Sequence, residues 1–214
     1  MTWEGITFIN GSPRRRRSTS SSIIDSMRSL IRDRMQSRVF DAYDLDLDDN
    51  ELLRSVADSR FLILVSPLYV DSLPSEVVEM MQVLERAGLE GASFMVIFNC
   101  GFPESTHNDT VIDICRNFST ANGMNWLGGL AIGGGGAIDG RPLSPSGPER
   151  NVLKSLAIVC DSIVEGVPIP EEAFVLASRQ FFPVWLYMIA ANHLWRTRAK
   201  APGVKNPLKH RPYG

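Results

Sequence analysis

Hydroxyl and guanidinium groups crowd one short turn of this 214-residue chain: Gly11, Ser12, Pro13, Arg14, Arg15, Arg16, Arg17, Ser18, Thr19, Ser20, Ser21 and Ser22. The turn follows the apolar run Ile6–Ile9 and leads into an amphipathic pattern from Ile23 onward. Between a strand and a helix, such a turn is suited to hold a phosphate. The helix start offers unpaired backbone N–H groups and the positive end of its dipole. Serine and threonine add neutral donors, and arginine adds a charged fork that matches phosphate oxygens. The glycine-lysine pair of a Walker loop is missing, and Gly11 stands alone where a dinucleotide turn needs three glycines. A mononucleotide fits this turn better than ATP does.

Two further turns carry candidate chemistry. Ser66-Pro67-Leu68-Tyr69-Val70-Asp71-Ser72-Leu73-Pro74 is stiffened by proline near both ends, and Tyr69 offers a flat ring to a planar ligand. Asn99-Cys100-Gly101-Phe102-Pro103-Glu104 places a glycine where backbone N–H groups can approach a ligand, beside an apolar edge. Cys100 invites a nucleophilic reading, but a tyrosine phosphatase needs arginine six positions later and Thr106 stands there. His107 is a candidate proton donor at the mouth of a cleft, with a plain surface position as the alternative. Gly133-Gly134-Gly135-Gly136 reads as exposed, mobile backbone, either a lid over a cofactor or an ordinary flexible loop.

The elements that must position these turns alternate along the chain. Strands are expected at Ile6–Ile9, Arg38–Tyr43, Phe61–Val65, Phe94–Asn99 and Leu127–Ile132. The third and fourth are apolar throughout, as strands covered on both faces should be. Helices are expected at Ile23–Arg34, Ser75–Ala87, Asp109–Ala121 and Glu149–Val164, with a weak stretch around Asn50–Ala57. The pattern predicts an α/β fold with a doubly wound, five-stranded parallel sheet over residues 1–166 and a helical, basic extension over 167–214. Ligands of such sheets bind beyond the carboxyl ends of the strands, where all the unusual turns fall.

A formal net charge of -2 argues against a general nucleic-acid binder. The charge is nevertheless uneven. Asp41, Asp44, Asp46, Asp48, Asp49 and Glu51 cluster, while residues 193–214 carry Arg196, Arg198, Lys200, Lys205, Lys209 and Arg211 with no acid among them. Cys100, Cys115 and Cys160 form no CxxC pair, so no metal site is expected. Their odd number, with no secretory signal before the first strand, predicts reduced thiols and a cytoplasmic setting. The glycosylation sequons at Asn10, Asn108 and Asn117 carry no weight there.

In segment order and in its three turns, the chain resembles the flavodoxin-like NAD(P)H-dependent oxidoreductases, which include NADPH-dependent FMN reductases and flavodoxin-type quinone reductases. The resemblance covers roughly the first 166 residues. It implies FMN as cofactor, with Ser12, Pro13, Arg14, Ser18, Thr19 and Ser20 at the phosphate. Pro67, Leu68, Tyr69 and Val70 would run beside the ring. Asn99, Cys100, Gly101, Phe102 and Pro103 would lie at the ring's polar edge. Four arginines exceed what one phosphate needs, and the surplus could attract NADPH or face solvent. The cysteine motif of the iron–sulfur members is replaced by the acidic run, so no cluster is implied. Catalytic residues are not assigned.

The resemblance implies electron transfer from NAD(P)H to a quinone, nitro or flavin acceptor. An FMN-binding electron carrier or docking module without its own NAD(P)H turnover is the alternative. Beyond the resemblance, residues 180–195 contain no Asp, Glu, Lys or Arg. That run is too short for a membrane span, and its apolar residues circle the helix. Burial in a homodimer or higher oligomer is the expectation, and peripheral contact with an anionic membrane is the other reading.

Overall fold

The sheet is built from β1 (Trp3–Asn10), β2 (Ser37–Asp41), β3 (Ser59–Pro67), β4 (Ser93–Asn99) and β5 (Asn125–Ile132), with β1 and β4 rich in β-branched and aromatic residues. All neighbouring pairs are parallel, in the order β2-β1-β3-β4-β5. The computed structural model describes residues 3–44, 56 and 58–200. The acidic residues 46–51, most of the stretch expected helical at 50–57, and Lys205, Lys209 and Arg211 lie outside the described residues.

The connections are helical: α1 (Thr19–Ile31), α2 (Ser75–Ala87), α3 (Asp109–Ala121), the short α4 (Gly135–Ile138), α5 (Arg150–Glu165) and α6 (Glu171–Ser178). The sheet's period of two divides the core between its faces. Leu62, Leu64, Phe94, Val96 and Phe98 pack with Val77 and Met80 of α2 and Val111 and Cys115 of α3. Ile63, Val65, Met95 and Ile97 pack on the other face with Ile23, Ile24 and Met27 of α1 and Val152, Leu156 and Val159 of α5. Burial on both faces is the reason β3 and β4 read as unbroken apolar runs. Order along the sheet reverses between β1 and β3, so their carboxyl ends form the topological switch point.

Three differences from the sequence expectation bear on the site and its surroundings. Helix α1 begins at Thr19, ahead of its first apolar residue, because the serines cap and continue the helix instead of forming a loop. The end of β2 gives way to a 3₁₀ turn at Ala42–Asp44, so Tyr43 is in a turn and not in the strand. The compact unit extends past residue 166 to Phe181, because α6 buries Ala173, Leu176 and Ala177 against the core that holds α5. Residues 182–214 form a second unit, whose helix α7 spans Val184–Lys200. No helix among the described residues is long and apolar enough to cross a membrane.

Burial pushes the thiols of Cys115 and Cys160 up to about 12. Both stay protonated in the folded chain, whereas in the unfolded chain they ionise from about pH 8.5. The stability they lend is therefore complete below that value and is lost as pH rises toward the folded pKa. Urea unfolding at about pH 8 and about pH 10 should show a loss of about 2 kcal/mol between the two for each thiol. A Cys115→Ala, Cys160→Ala variant should lose most of that alkaline slope.

Candidate functional site

At the carboxyl edge of the sheet the loops after β1, β3, β4 and β5 are tied together by hydrogen bonds. The Leu68 N–H donates to the Asn99 carbonyl at 2.8 Å, and the Gly135 N–H donates to the Cys100 carbonyl at 2.8 Å. Asn99 Nδ2 donates to the Ser66 carbonyl at 3.1 Å and to Ser20 Oγ at 3.3 Å. Gly11 lies so near β3 that a Cβ there would stand 2.7 Å from both Ser66 and Val77. Only glycine fits at that position without displacing them. The three turns singled out in the sequence thus share one sheet edge.

Within the first turn, most of the hydroxyls serve the fold. Ser18 is the N-cap of α1: its Oγ accepts from the Ser21 N–H at 3.0 Å and donates to the Arg15 carbonyl at 2.7 Å. Ser21 completes the capping box through the Ser18 N–H, at 3.1 Å. Thr19 Oγ1 donates to the Gly135 carbonyl at 2.8 Å, while Ser20 Oγ accepts from Asn99. Ser12 differs. The residue is 2% exposed, and among the described residues no hydrogen bond engages its hydroxyl. The N–H groups of Arg14, Arg16, Thr19 and Ser20 also make no hydrogen bond among the described residues. This is a phosphate-sized set of donors, with one hydroxyl and an open helix start.

The arginines divide in two. Arg14 pairs with Asp139 at 2.6 Å, and Arg15 pairs with Asp44 at 3.0 Å while its guanidinium lies over the Tyr43 ring. Arg16 and Arg17 are exposed and enter no ion pair among the described residues. Pro13 is exposed beside them.

The loop after β3 is a tight hairpin turn. Tyr69 and Ser72 exchange backbone hydrogen bonds at 3.1 and 3.0 Å, and the two residues between them, Val70 and Asp71, have φ of 50° and 54°. A left-handed β-branched residue is an outlier that marks strain. Pro67 and Leu68 are buried, whereas Tyr69 is 43% exposed. After β4, Gly101 and Phe102 are exposed, while Asn99, Cys100 and Pro103 are buried. Phe102 stacks on His107 with ring centroids 4.4 Å apart, and His107 Nδ1 lies 3.6 Å from Asp71 Oδ1. His107 therefore bridges the two loops through a ring on one side and a carboxylate on the other. Tyr69, Val70, Gly101 and Phe102 are the ring-loop residues that face outward; Pro67, Leu68, Asn99, Cys100 and Pro103 shape the loops from within.

Burial pushes the Cys100 thiol up, and Sγ donates toward the Phe102 and Glu104 carbonyls at 3.5 and 3.3 Å. A protonated, inward-facing thiol holds its loop and is no activated nucleophile. The glycine run after β5 is the reverse of the exposed, mobile backbone expected. Gly133, Gly134 and Gly135 are buried, and a Cβ at Gly133 would collide with the Pro103 carbonyl. These glycines permit close packing of two loops.

Other contributors had weaker sequence signals. Asn10 accepts the Ser12 N–H at 3.2 Å and donates to Asp41 at 2.8 Å; its place at the strand end is an Asx-turn position that could have been read. Asp71, Asp139 and Tyr43 become relevant only through contacts distant in sequence. Among the described residues no group of histidine, cysteine or carboxylate side chains could hold a metal ion.

By sequence, no family profile matches the chain and no curated protein matches it. By structure it is similar to a protein described as an NADPH-quinone reductase from P. pentosaceus, with TM-score 0.53 and 16% identity over 75% of this chain and 97% of that one. It is also similar to an NADH:FMN oxidoreductase, with TM-score 0.58 and 16% identity over 84% and 96% of the two chains. Flavodoxin 2 from Bacillus cereus matches with TM-score 0.56 and 18% identity over 76% and 99%. These likenesses establish the flavodoxin-like fold.

Gly133→Ala should force the loops after β4 and β5 apart. The expected cost is about 1–3 kcal/mol, the range of overpacked cores, read as a lower urea midpoint with unchanged slope.

Proposed function

We propose that this chain binds FMN and uses it to carry electrons from NAD(P)H to a small quinone, nitro or flavin acceptor. The observation that carries the reading is Ser12, a residue 2% exposed whose hydroxyl has no hydrogen-bond partner among the described residues, in a turn where the N–H groups of Arg14, Arg16, Thr19 and Ser20 also lack one among those residues. The residues fit the group. The first turn offers neutral donors for a phosphate, and Tyr69 and Phe102 offer exposed aromatic surface on the two neighbouring loops. When bound, FMN would supply hydride acceptance and electron release, which no side chain of this chain can supply.

The chain's own residues hold, orient and tune. Ser12 and the open start of α1 would bind the phosphate. Tyr69 and Phe102 would border the ring, and the Gly101 backbone would approach its polar edge. Arg16 and Arg17 favour an enzyme over a passive carrier, since two cations beside the site that enter no ion pair among the described residues attract an anionic dinucleotide. No membrane contact is needed for this chemistry.

Ser12→Ala should weaken FMN binding by about 10- to 150-fold, equivalent to about 1.5–3 kcal/mol for a charge-assisted hydrogen bond, while leaving the urea midpoint unchanged. Ser18→Ala should instead lower stability by about 0.5–2 kcal/mol through its lost cap. Fluorescence titration of FMN into the two variants separates these effects, and unchanged affinity in Ser12→Ala would refute the phosphate assignment. Anaerobic NADPH should bleach the bound flavin. Reduction only by a protein donor would instead identify a carrier.

A further inference from the structure

The sheet ends in a strand of small residues. At β5, Gly128 and Gly129 leave space that neighbouring side chains fill. A Cβ at Gly129 would collide with Ile112 of α3, and one at Gly128 would stand 2.7 Å from Phe174 of α6. Between α3 and α6 a groove of about 570 Å³ remains open. Gly129 and Ala131 make its floor, and Ile112, Phe174 and Val175 its apolar walls. Its rim is acidic. Asp109, Asp113 and Glu171 line it, and only Asp113 has a cationic partner among the described residues, Arg116 at 3.0 Å.

The second unit has the complementary character. Helix α7 exposes Trp185, Met188, Ile189 and Trp195 by 64%, 50%, 60% and 71%. At about 100° per residue, positions 185, 188, 189 and 195 fall within an arc of about 120°, so one face of the helix presents all four. Arg196 and Arg198 follow, in a segment without an acid from residue 193 to 214. An apolar, basic helix and an apolar groove with an acidic rim match in both hydrophobicity and charge.

We infer that the groove over β5 receives α7 of a second copy of this chain. The exchange is reciprocal: each copy gives one helix and accepts one, which closes a two-fold dimer. Arg196 and Arg198 face Asp109 and Glu171, while the tryptophans enter the apolar part. The acidic rim selects this occupant over an anionic lipid surface, which it would repel. The flavin reading is not needed for this pairing.

Sedimentation equilibrium of the full chain should show a dimer. Asp109→Lys with Glu171→Lys, and separately Arg196→Glu with Arg198→Glu, should each raise the dimer dissociation constant by at least about tenfold. An equimolar mixture of the two variants should restore the dimer, since charges again oppose at both grooves; restoration also proves both variants folded. Ile189→Asp, which changes the helix alone, should dissociate the dimer while circular dichroism keeps its native form. A monomeric full chain overturns the inference, as does a dimer untouched by either charge reversal or by Ile189→Asp. Binding of a monomer to phosphatidylcholine vesicles only when they contain phosphatidylglycerol would overturn it in favour of a lipid surface.

Discussion

One buried amide organises the edge on which the site is built. Asn99, at the end of β4, gives one N–H to the strand beside it and the other to the first turn of α1. Its donors therefore join three segments separated by dozens of residues, in a place too buried for water to substitute. An unpaired amide there would cost about 1–3 kcal/mol, so the loops hold one another in register. The glycines at 11, 133 and 135 serve the same arrangement, since a Cβ at any of them would crowd the neighbouring segment.

The serine-rich turn divides its labour in a way that composition alone conceals. Ser18 and Ser21 neutralise the start of α1 by capping, and Thr19 reaches across to the loop after β5. A helix start fully satisfied by its own hydroxyls would have little left for an anion. Here the cap occupies one N–H and leaves its neighbours open, so stability and ligand affinity depend on different residues of one turn.

The sheet, its order and the convergence of three turns were legible because buried strands and amphipathic helices have periods that sequence displays. The four central helices fell where apolar spacing placed them, with Gly123 and Gly166 in left-handed conformation after α3 and α5. What escaped were features decided by tertiary contact. Nothing in four glycines distinguishes mobile backbone from backbone pressed against Pro103. Nothing in Ser18 reveals whether its hydroxyl serves the helix or a ligand. The weakly amphipathic segment 171–178 lacked a helical stripe, yet its alanines pack tightly where a larger side chain would not fit.

The hairpin at Val70 and Asp71 sets an order on assembly. Two residues without glycine's freedom hold left-handed backbone, at about 1–2 kcal/mol each, and Val70 recovers none of this through burial. A segment with that local preference does not nucleate anything. It takes shape after β3 and β4 have paired and the Asp71–His107 and Phe102–His107 contacts can compensate. A rim that closes only after the sheet has paired would contribute little to the folding transition state and would show low φ-values. Changes there would then alter how fast the chain unfolds far more than how fast it folds.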